Sequence, residues 1–449
     1  MVYKNTLRKI KDYFGINLPF WMDSRKTLFF FFLVDFIFMI IFLDNIGIDY
    51  KCDNRIGRCI FFPIIWTILS YVKGRYSYFK EFKSRLNKLY SLLISTLVVV
   101  LVTYLINKLI VIFIPNFPLI GRDSGIFIFL ISFSLQSIKF IFNPLENVKY
   151  IYLAGNDEKI QSFLKNASNY ILTQKIKVKN LSDYKESNTN FQNIILLENN
   201  YYEFSRIYPN LISPQNEIVI ASNWCERNLQ RIPSEYLTQN DFEYYNLINL
   251  SQSLYWRIKR FGDIFISLFL LIALLPILFI SAFLIKLEDD GPIFYSQLRT
   301  GLYGKTFKVV KLRSMKPNSE SSGPVWAKKK DPRITKIGSI LRKTRIDELP
   351  QLWSVIIGDM TLIGPRPERP EIDKQLVKKI PFYNYRNTIK PGLSGWAQVN
   401  YNYGASIEDS EKKFSYEIFY LKNHSFFLDM LIFIKTLKLL FNMEGSVPK

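Results

Sequence analysis

Five long apolar runs constrain the fold of this chain more than any other feature of its sequence. Four of them lie in the first third of the 449 residues and one lies past the middle, at positions 27–44, 59–72, 89–115, 124–142 and 262–285. About 20 apolar residues span a bilayer as a helix, so the first, third and fourth runs predict membrane spans, and the second is short for one. We therefore predict an α-helical membrane bundle, a four-helix transmembrane domain, over residues 1–145.

The positions of the basic residues predict the orientation of this bundle. Lys and Arg cluster in the N-terminal tail, at 4–26, and in the loop after the second run, at 73–88, whereas the loop after the first run adds Asp44, Asp49 and Asp53. By the positive-inside rule, both ends of the bundle lie in the cytoplasm. No cleavable signal is expected, because the first apolar run is too long for a signal core.

Residues 146–240 have a different pattern. Three short apolar runs, at 148–155, 193–198 and 217–222, are typical of buried parallel strands and are separated by polar or helical stretches. This pattern predicts a Rossmann-like α/β domain. Only one glycine, Gly155, stands where a glycine-rich phosphate fingerprint would lie, so the domain is predicted to be degenerate, with a structural or regulatory role.

Charge and the scarcity of two residue types narrow the chemistry. The formal net charge of +21 favours anionic partners, and the apolar runs favour a lipid surface and phosphate-bearing substrates over nucleic acid. The single histidine, His424, excludes a His-based triad and a His-rich metal site. Cys52, Cys59 and Cys225 lack zinc-site spacing, and a pairing of the first two stays open.

The stretch 331–369 carries two adjacent carboxylates, Asp347 and Glu348, directly before Leu349-Pro350. Proline is tolerated in the first helical turn, so a helix is predicted to begin at Asp347. Its amino end would suit a diphosphate. Neighbouring helical residues point about 100° apart, so one carboxylate could face the phosphorus while the other binds a metal ion.

Five arginines, whose forked side chains match phosphate oxygens, crowd the same forty residues: Arg333, Arg342, Arg345, Arg366 and Arg369. A carboxylate can serve as the nucleophile of phosphoryl transfer, and Mg²⁺ prefers one or two carboxylates together with substrate phosphates. An isolated Asp-Glu pair is equally typical of a solvated helix start with surface salt bridges. The pair therefore does not decide the function by itself.

The region from Lys259 to Leu440 resembles the bacterial sugar transferase family, the monotopic polyprenyl-phosphate hexose-1-phosphate transferases. Five blocks occur in the order of that family, namely KRFGD (259–263), GPIFYSQLRTGLYGKTFKVVKLRSM (291–315), DPRIT (331–335), RIDELPQLWSVIIGDMTLIGPRPERPE (345–371) and KPGLSGWAQVNYNYGAS (390–406). With the spans and the degenerate α/β domain, the chain resembles the large subgroup that primes exopolysaccharide, capsule or O-antigen synthesis. The resemblance also implies a homodimer.

The resemblance implies a two-step reaction with a UDP-sugar as donor. Asp347 is expected to attack the phosphate bonded to the sugar and release UMP, after which undecaprenyl phosphate attacks the covalent intermediate. Glu348 is expected to help hold Mg²⁺. The residues expected to bind the substrates are Lys311, Arg313, Arg333, Arg342, Pro365, Arg366 and Gln398.

The fifth apolar run admits two interpretations. Hydropathy alone favours an ordinary span, but a span would place the chain from Glu288 onward outside the cell, where activated nucleotides are absent. A re-entrant membrane helix over 262–285, kinked at Pro276, avoids this conflict. We therefore predict an α/β monotopic catalytic domain over 252–449, on the cytoplasmic face of a bacterial cytoplasmic (inner) membrane that the chain crosses several times.

The C-terminal stretch 408–441 is predicted to be helical, either packed on this domain or lying at the lipid interface. Three other functions were weighed. A polytopic transferase that uses direct attack requires many more spans, and a transporter would need paired intramembrane charges beyond Asp35, which is interpreted as a packing or interface residue. A non-catalytic membrane scaffold of a polysaccharide assembly complex would not need the intact motifs. The identity of the sugar is not specified by any block.

Overall fold

The computed structural model of this chain describes residues 26–45, 62–73, 85–113, 122–141, 150–174, 176–181, 192–197, 201–208, 211–212, 216–239, 254–317, 319, 331–401, 404 and 406–442. The chain forms two compact units, Met1–Val148 and Lys149–Lys449. Each unit is described by itself. Cys52 and Cys59 lie outside the described residues, so their pairing stays open.

The first unit contains four apolar helices at the predicted places, α1 Lys26–Asn45, α2 Phe62–Val72, α3 Arg85–Phe113 and α4 Arg122–Ile141. Neighbours in sequence pack together, and α4 also contacts α1. Within the described ranges, the segment Leu92–Ile112 of α3 is long and apolar enough to cross a membrane, and the apolar parts of the other three helices are shorter. The multi-pass topology stays a prediction.

Polar side chains lie inside this unit. Asp35 is fully buried and accepts hydrogen bonds from Trp66 Nε1 at 3.3 Å and Ser132 Oγ at 3.0 Å, so it joins three helices. The outer surface carries large apolar residues such as Ile41 and Leu101. Polar groups that bond between helices while apolar groups face outward favour a lipid environment. The contacts of Asp35 agree with its interpretation as a packing residue.

The second unit begins with a four-stranded parallel sheet in the order β2-β1-β3-β4. Its elements are β1 Tyr150–Ala154, α5 Asp157–Gln174, β2 Lys177–Asn180, β3 Gln192–Leu196, α6 Tyr201–Ile207, β4 Asn216–Ile220 and α7 Ala221–Leu229. The three strands predicted from apolar runs are confirmed. Strand β2, with the sequence KVKN, was not predicted, because it is a largely exposed edge strand without an apolar run. The Rossmann-like assignment stays a prediction.

The first strand-to-helix turn of this sheet is unfavourable for a phosphate. At Gly155 a Cβ atom would lie 3.0 Å from Leu197 Cβ, so the chain is packed tightly there. Asp157 and Glu158 occupy the first turn of α5, where negative charge opposes a bound anion. The structural or regulatory role of this domain stays a prediction.

The rest of the unit combines helices with two small sheets. Its elements are α8 Leu254–Ala273, α9 Leu275–Glu288, β5 Phe294–Thr300, β6 Thr306–Leu312, α10 Lys336–Thr344, α11 Gln351–Ile357, β7 Thr361–Ile363, α12 Pro370–Lys379, β8 Gly392–Ser394, α13 Trp396–Asn400, α14 Ile407–Asn423 and α15 Phe426–Phe441. Strands β5 and β6 form an antiparallel pair, and β7 pairs with β8 in parallel.

The fifth apolar run forms two helices, α8 and α9, that are bent by 57°. The predicted bend is present, but its place and limits differ from the prediction of a helix over 262–285 kinked at Pro276. The break falls at Leu274, and Pro276 occupies the first turn of α9, where a missing N–H removes no intrahelical bond. The first helix begins earlier than predicted, at Leu254, and two basic residues ahead of 262 bind the domain, Lys259 to Asp429 and Arg260 to the carbonyls of Val355 and Ile356.

The predicted helical stretch 408–441 is two helices, because the chain turns at His424 and Ser425 accepts a hydrogen bond from Leu428 N to begin α15. Helix α14 is largely buried against the domain. Helix α15 exposes Phe426 and Phe427.

The middle domain and the catalytic domain, predicted as separate, belong to one compact unit. The chain after β4 packs on α14, where Ile232 N donates to Ser415 O at 2.9 Å and Lys422 Nζ lies 2.7 Å from Glu226. Trp396 Nε1 donates to Gln230 O at 2.9 Å.

Candidate active site

The two adjacent carboxylates lie in a 3₁₀ turn between two helices. Helix α10 ends at Arg345, whose left-handed backbone (φ 57°) turns the chain, and the 3₁₀ turn Ile346–Glu348 follows. The prediction that an α-helix begins at Asp347 was wrong by one turn, since α11 begins at Gln351 behind Pro350. The turn nevertheless holds both carboxylates at the entrance to a helix.

Helix α10 is fixed against the end of β6, and this sets the position of the turn. A Cβ atom at Gly338 would lie 2.1 Å from Ser314 O, so only glycine permits this approach. Arg342 Nε donates to Ser314 Oγ at 2.9 Å. Leu341 packs with Leu312 in a buried cluster. Helix α10, which precedes the carboxylates, is therefore fixed both by polar contacts with Ser314 and by apolar packing against Leu312.

Glu348 is enclosed by cations. Its Oε1 accepts hydrogen bonds from Lys311 Nζ at 2.9 Å and from Arg366 at 2.6 Å, and its Oε2 lies 3.6 Å from Arg345. Burial alone would raise the pKa of Glu348, but these three cations, Arg366 foremost, outweigh burial and hold the pKa well below its usual range. Glu348 is therefore a permanent anion that orders the cations around it.

Asp347 has the opposite environment. It is 7% exposed, and no residue that the structure describes donates a hydrogen bond to its carboxylate. Burial and the charge of Glu348 raise its pKa to about 6, against the attraction of Lys311 and two arginines. With this pKa the carboxylate is mostly ionised at neutral pH, and its oxygens accept no hydrogen bond from the part of the chain that the structure describes. That is the state a nucleophile requires.

The loop after β7 presents Arg366 to Glu348. Gly392 N donates to Pro365 O at 2.7 Å, and Arg386 donates to Arg366 O at 2.7 Å. Arg386 is itself fixed by a buried ion pair with Glu417, at 2.7 and 2.8 Å. Pro365 and Gln398 line a small cleft beside Arg366. The supporting pair of Arg386 and Glu417 was not predicted from the sequence, because its members lie on separate elements.

Only some of the predicted substrate-binding residues meet at the carboxylates. Lys311 and Arg366 contact Glu348, and Arg342 acts on Asp347 through its charge. The other polar residues of the set bind elsewhere, Arg313 to Asp289, Arg333 to Asp331 at 2.5 Å and Gln398 Nε2 to Leu393 O at 3.0 Å. The roles of these three residues stay predictions.

Two residues of the KRFGD block also support the site, although neither was predicted as a site residue. Arg260 donates to Val355 O at 2.5 Å and to Ile356 O at 2.7 Å, which are carbonyls at the end of α11. Asp263 accepts hydrogen bonds from Thr361 Oγ1 at 2.5 Å and from the Leu362 amide at 3.3 Å. The charges in that block are the signal that could have identified them.

The donor set fits Mg²⁺ bound jointly by protein and substrate. Among the described residues, no cluster of three His, Cys, Asp or Glu side chains is present, so this part of the chain offers no closed metal cage. Asp347 accepts no hydrogen bond there, and Glu348 Oε2 lies 3.6 Å from Arg345 Nη1. These oxygens suit a metal that completes its shell with phosphates and water.

A buried carboxylate that accepts no hydrogen bond from the described residues thus lies beside a cation cluster, on a domain that packs against a bent apolar hairpin. Residues 254–443 match the model of the bacterial sugar transferase family. The chain belongs to this family.

Three curated relatives extend the comparison. The chain is 42% identical over 197 residues to a UDP-N-acetylgalactosamine-undecaprenyl-phosphate N-acetylgalactosaminephosphotransferase from Aeromonas hydrophila, covering 44% of this chain and 47% of the relative. It is 52% identical over 132 residues to a putative undecaprenyl-phosphate N-acetylgalactosaminyl 1-phosphate transferase from Bacillus subtilis, covering 29% and 74%. It is 38% identical over 180 residues to a UDP-glucose:undecaprenyl-phosphate glucose-1-phosphate transferase from Klebsiella pneumoniae, covering 40% and 39%. The match thus spans less than half of the first and third relatives.

Proposed function

We propose that the protein transfers a sugar-1-phosphate from a UDP-sugar to undecaprenyl phosphate and releases UMP, as the initiating step of exopolysaccharide, capsule or O-antigen synthesis. The observation that carries this proposal is the buried carboxylate of Asp347, which accepts no hydrogen bond from the described residues and lies beside the cations that surround Glu348. The names of the three relatives all specify undecaprenyl phosphate and a sugar, either N-acetylgalactosamine or glucose, and two of them specify the UDP form of that sugar. These names support the same reaction.

In the first step, an Asp347 oxygen attacks the phosphorus that carries the sugar. The bond between this phosphorus and the bridging oxygen breaks, UMP leaves with the electron pair, and an acyl phosphate forms on Asp347. In the second step, an oxygen of the carrier phosphate attacks the same phosphorus, and Asp347 leaves as a carboxylate. Neither step requires a proton to be removed from a nucleophile, which suits a site without histidine.

The two carboxylates have different roles because their partners differ. Three cations engage Glu348, which lowers its basicity and keeps Lys311 and Arg366 oriented. Those cations can neutralise oxygens of the reacting phosphate. Asp347 keeps its lone pairs available and has the higher pKa, so it is the better nucleophile. When bound by Glu348, Mg²⁺ would supply further neutralisation of phosphate charge.

A membrane location agrees with the substrates. The carrier phosphate lies at headgroup depth while its chain stays in lipid, and the bent hairpin α8–α9 binds the domain through Arg260. We propose that the hairpin enters and leaves on the cytoplasmic face of the bacterial inner membrane, that the four amino-terminal helices span it, and that the protein is a homodimer. The higher identities belong to relatives named for N-acetylgalactosamine, so the UDP form of that sugar is the first donor to test.

The substitution Asp347→Asn tests this function. It should abolish UMP release from the UDP-sugar even without acceptor, because an amide cannot form the acyl phosphate. The matched control is Asp359→Asn, at an exposed position in the same domain, which should release UMP as the wild type does. Full release by Asp347→Asn would remove Asp347 as nucleophile. A wild-type chain that releases no UMP from any UDP-sugar would favour a non-catalytic scaffold.

A further inference from the structure

Helix α11, which follows the two carboxylates, has an apolar face that no described residue covers. Leu352 and Val355 are buried in the domain, whereas Trp353 is 58% exposed and Ile357 is 56% exposed. Pro350, one turn before Trp353, is half-buried. In an α-helix these three positions lie within about 60° of one another. We call Pro350, Trp353 and Ile357 the apolar ledge.

The two ends of the ledge lie beside different groups, the cations at one end and the hairpin at the other. Its first residue is two positions after Glu348, where Lys311 and Arg366 are gathered. Its last residue follows the carbonyls of Val355 and Ile356 that Arg260 binds, and Arg260 lies on the first helix of the membrane hairpin. The residue after Arg260 in that helix, Phe261, is 74% exposed. The ledge therefore begins two residues after Glu348 and ends on the residue that follows the carbonyls bound by the hairpin.

We propose that the apolar ledge binds the phosphate-proximal isoprene units of the polyprenyl acceptor. This proposal rests on the proposed function and specifies where its acceptor lies. An acceptor of this kind has an anion at one end and an unsaturated hydrocarbon chain at the other, and the surface offers cations at one end and apolar side chains along the rest. Helix α11 has seven residues and is about 10 Å long, the scale of a short isoprenoid segment.

An exposed tryptophan side chain interacts more favourably with a hydrocarbon chain than with water. Its large ring buries much apolar surface when a hydrocarbon chain lies on it, and its N–H can stay in the polar headgroup layer. Exposed apolar residues that adjoin one another on an otherwise packed domain mark binding surfaces. The ledge would align the chain so that the carrier phosphate meets the sugar phosphate on Asp347.

The test compares the two half-reactions of the full chain in vesicles of phosphatidylethanolamine and phosphatidylglycerol. The variants Trp353→Ser and Ile357→Ser should raise the KM for undecaprenyl phosphate at least fivefold. UMP release without acceptor should stay within about twofold of wild type, because the ledge does not contact the donor. Trp353→Phe, which keeps an aromatic ring, should restore most of the affinity. Leu172→Ser, at a 75% exposed position in the parallel-sheet domain, is the matched control.

Two results would overturn the inference. One is an unchanged KM for undecaprenyl phosphate in both serine variants. The other is loss of vesicle binding by the variants, with both half-reactions reduced together, because the ledge would then serve as a membrane anchor. If the proposed function itself is wrong, the result differs, because the wild-type chain would then release no UMP at all.

Discussion

Asp347 and Glu348 are neighbours in sequence, yet the protein shifts their pKa values in opposite directions. Glu348 receives two hydrogen bonds from cations, so its charged form is stabilised. Asp347 receives none from the described residues and feels the charge of Glu348, so burial dominates and raises its pKa to about 6. Two carboxylates with separated pKa values can take different roles at one pH.

This difference predicts a pH dependence for the donor half-reaction. Because the pKa of Asp347 is raised, protonation removes the nucleophile as pH falls through about 6, and the rate should fall toward tenfold per pH unit below that value. Above it the rate should level off. The measurement is single-turnover UMP release between pH 5 and 8, in the absence of acceptor. A rate that stays constant down to pH 5 would contradict the pKa assigned to Asp347.

At the residue scale, the sequence predicted which residues form the site better than it predicted which residues they contact. Asp347, Glu348, Lys311 and Arg366 could be named because they lie in short motif blocks. Arg313 was expected at the substrates but pairs with Asp289, since that acidic residue lies close in the fold. Such pairings depend on where loops bring residues, which no local pattern specifies.

At the scale of elements, helix α11 is held in place by the hairpin α8–α9. Arg260 of α8 binds two carbonyls at the end of α11, and these carbonyls have no intrahelical donor. Asp263, one turn further on, binds Thr361 and the Leu362 amide in β7. One face of α8 thereby fixes the helix after Asp347 and the strand before Arg366.

Removing this clamp should lower activity without touching the reacting groups. Arg260→Ala leaves the carbonyls of Val355 and Ile356 without their donor, which costs about 1–3 kcal/mol. We expect UMP release at least tenfold slower and a lower melting temperature, with the pH midpoint of Asp347 unchanged. Arg257→Ala, exposed in the same helix, is the control and should behave as the wild type does. Wild-type rate and melting temperature in Arg260→Ala would refute the clamp.

The bend of the hairpin was predictable, and its position was not. Proline signalled a break, but a proline fits best in the first turn of a helix, so the break falls at Leu274, ahead of Pro276. The same property explains why α11 begins behind Pro350. Strand β2 was missed because an exposed edge strand can be polar.

At the scale of the whole molecule, the membrane path of the hairpin determines whether the site meets its substrates. Arg257, Lys259 and Arg260 at its start and Lys286 near its end are basic, as expected for ends that stay in the cytoplasm. Hydropathy cannot distinguish a re-entrant hairpin from a span, because both are apolar over the same length.

Cysteine accessibility distinguishes the two paths. Single cysteines at Ile258 and Leu287, both exposed at the ends of the hairpin, are placed in a chain whose three native cysteines are changed to serine. If the hairpin re-enters, a membrane-impermeant maleimide should label both positions from the cytoplasmic side alone. A control cysteine at Leu172 should be labelled from the same side. Labelling of the two ends from opposite sides would establish a span.

The proposed reaction depends on a covalent phosphosugar on Asp347. The most direct measurement is mass spectrometry of the full chain, quenched after mixing with a UDP-sugar that it turns over and without acceptor. We predict a mass increase equal to the sugar phosphate, located on the peptide that contains Asp347 and lost when undecaprenyl phosphate is added. Stoichiometric UMP release with an unmodified Asp347 peptide would contradict the account.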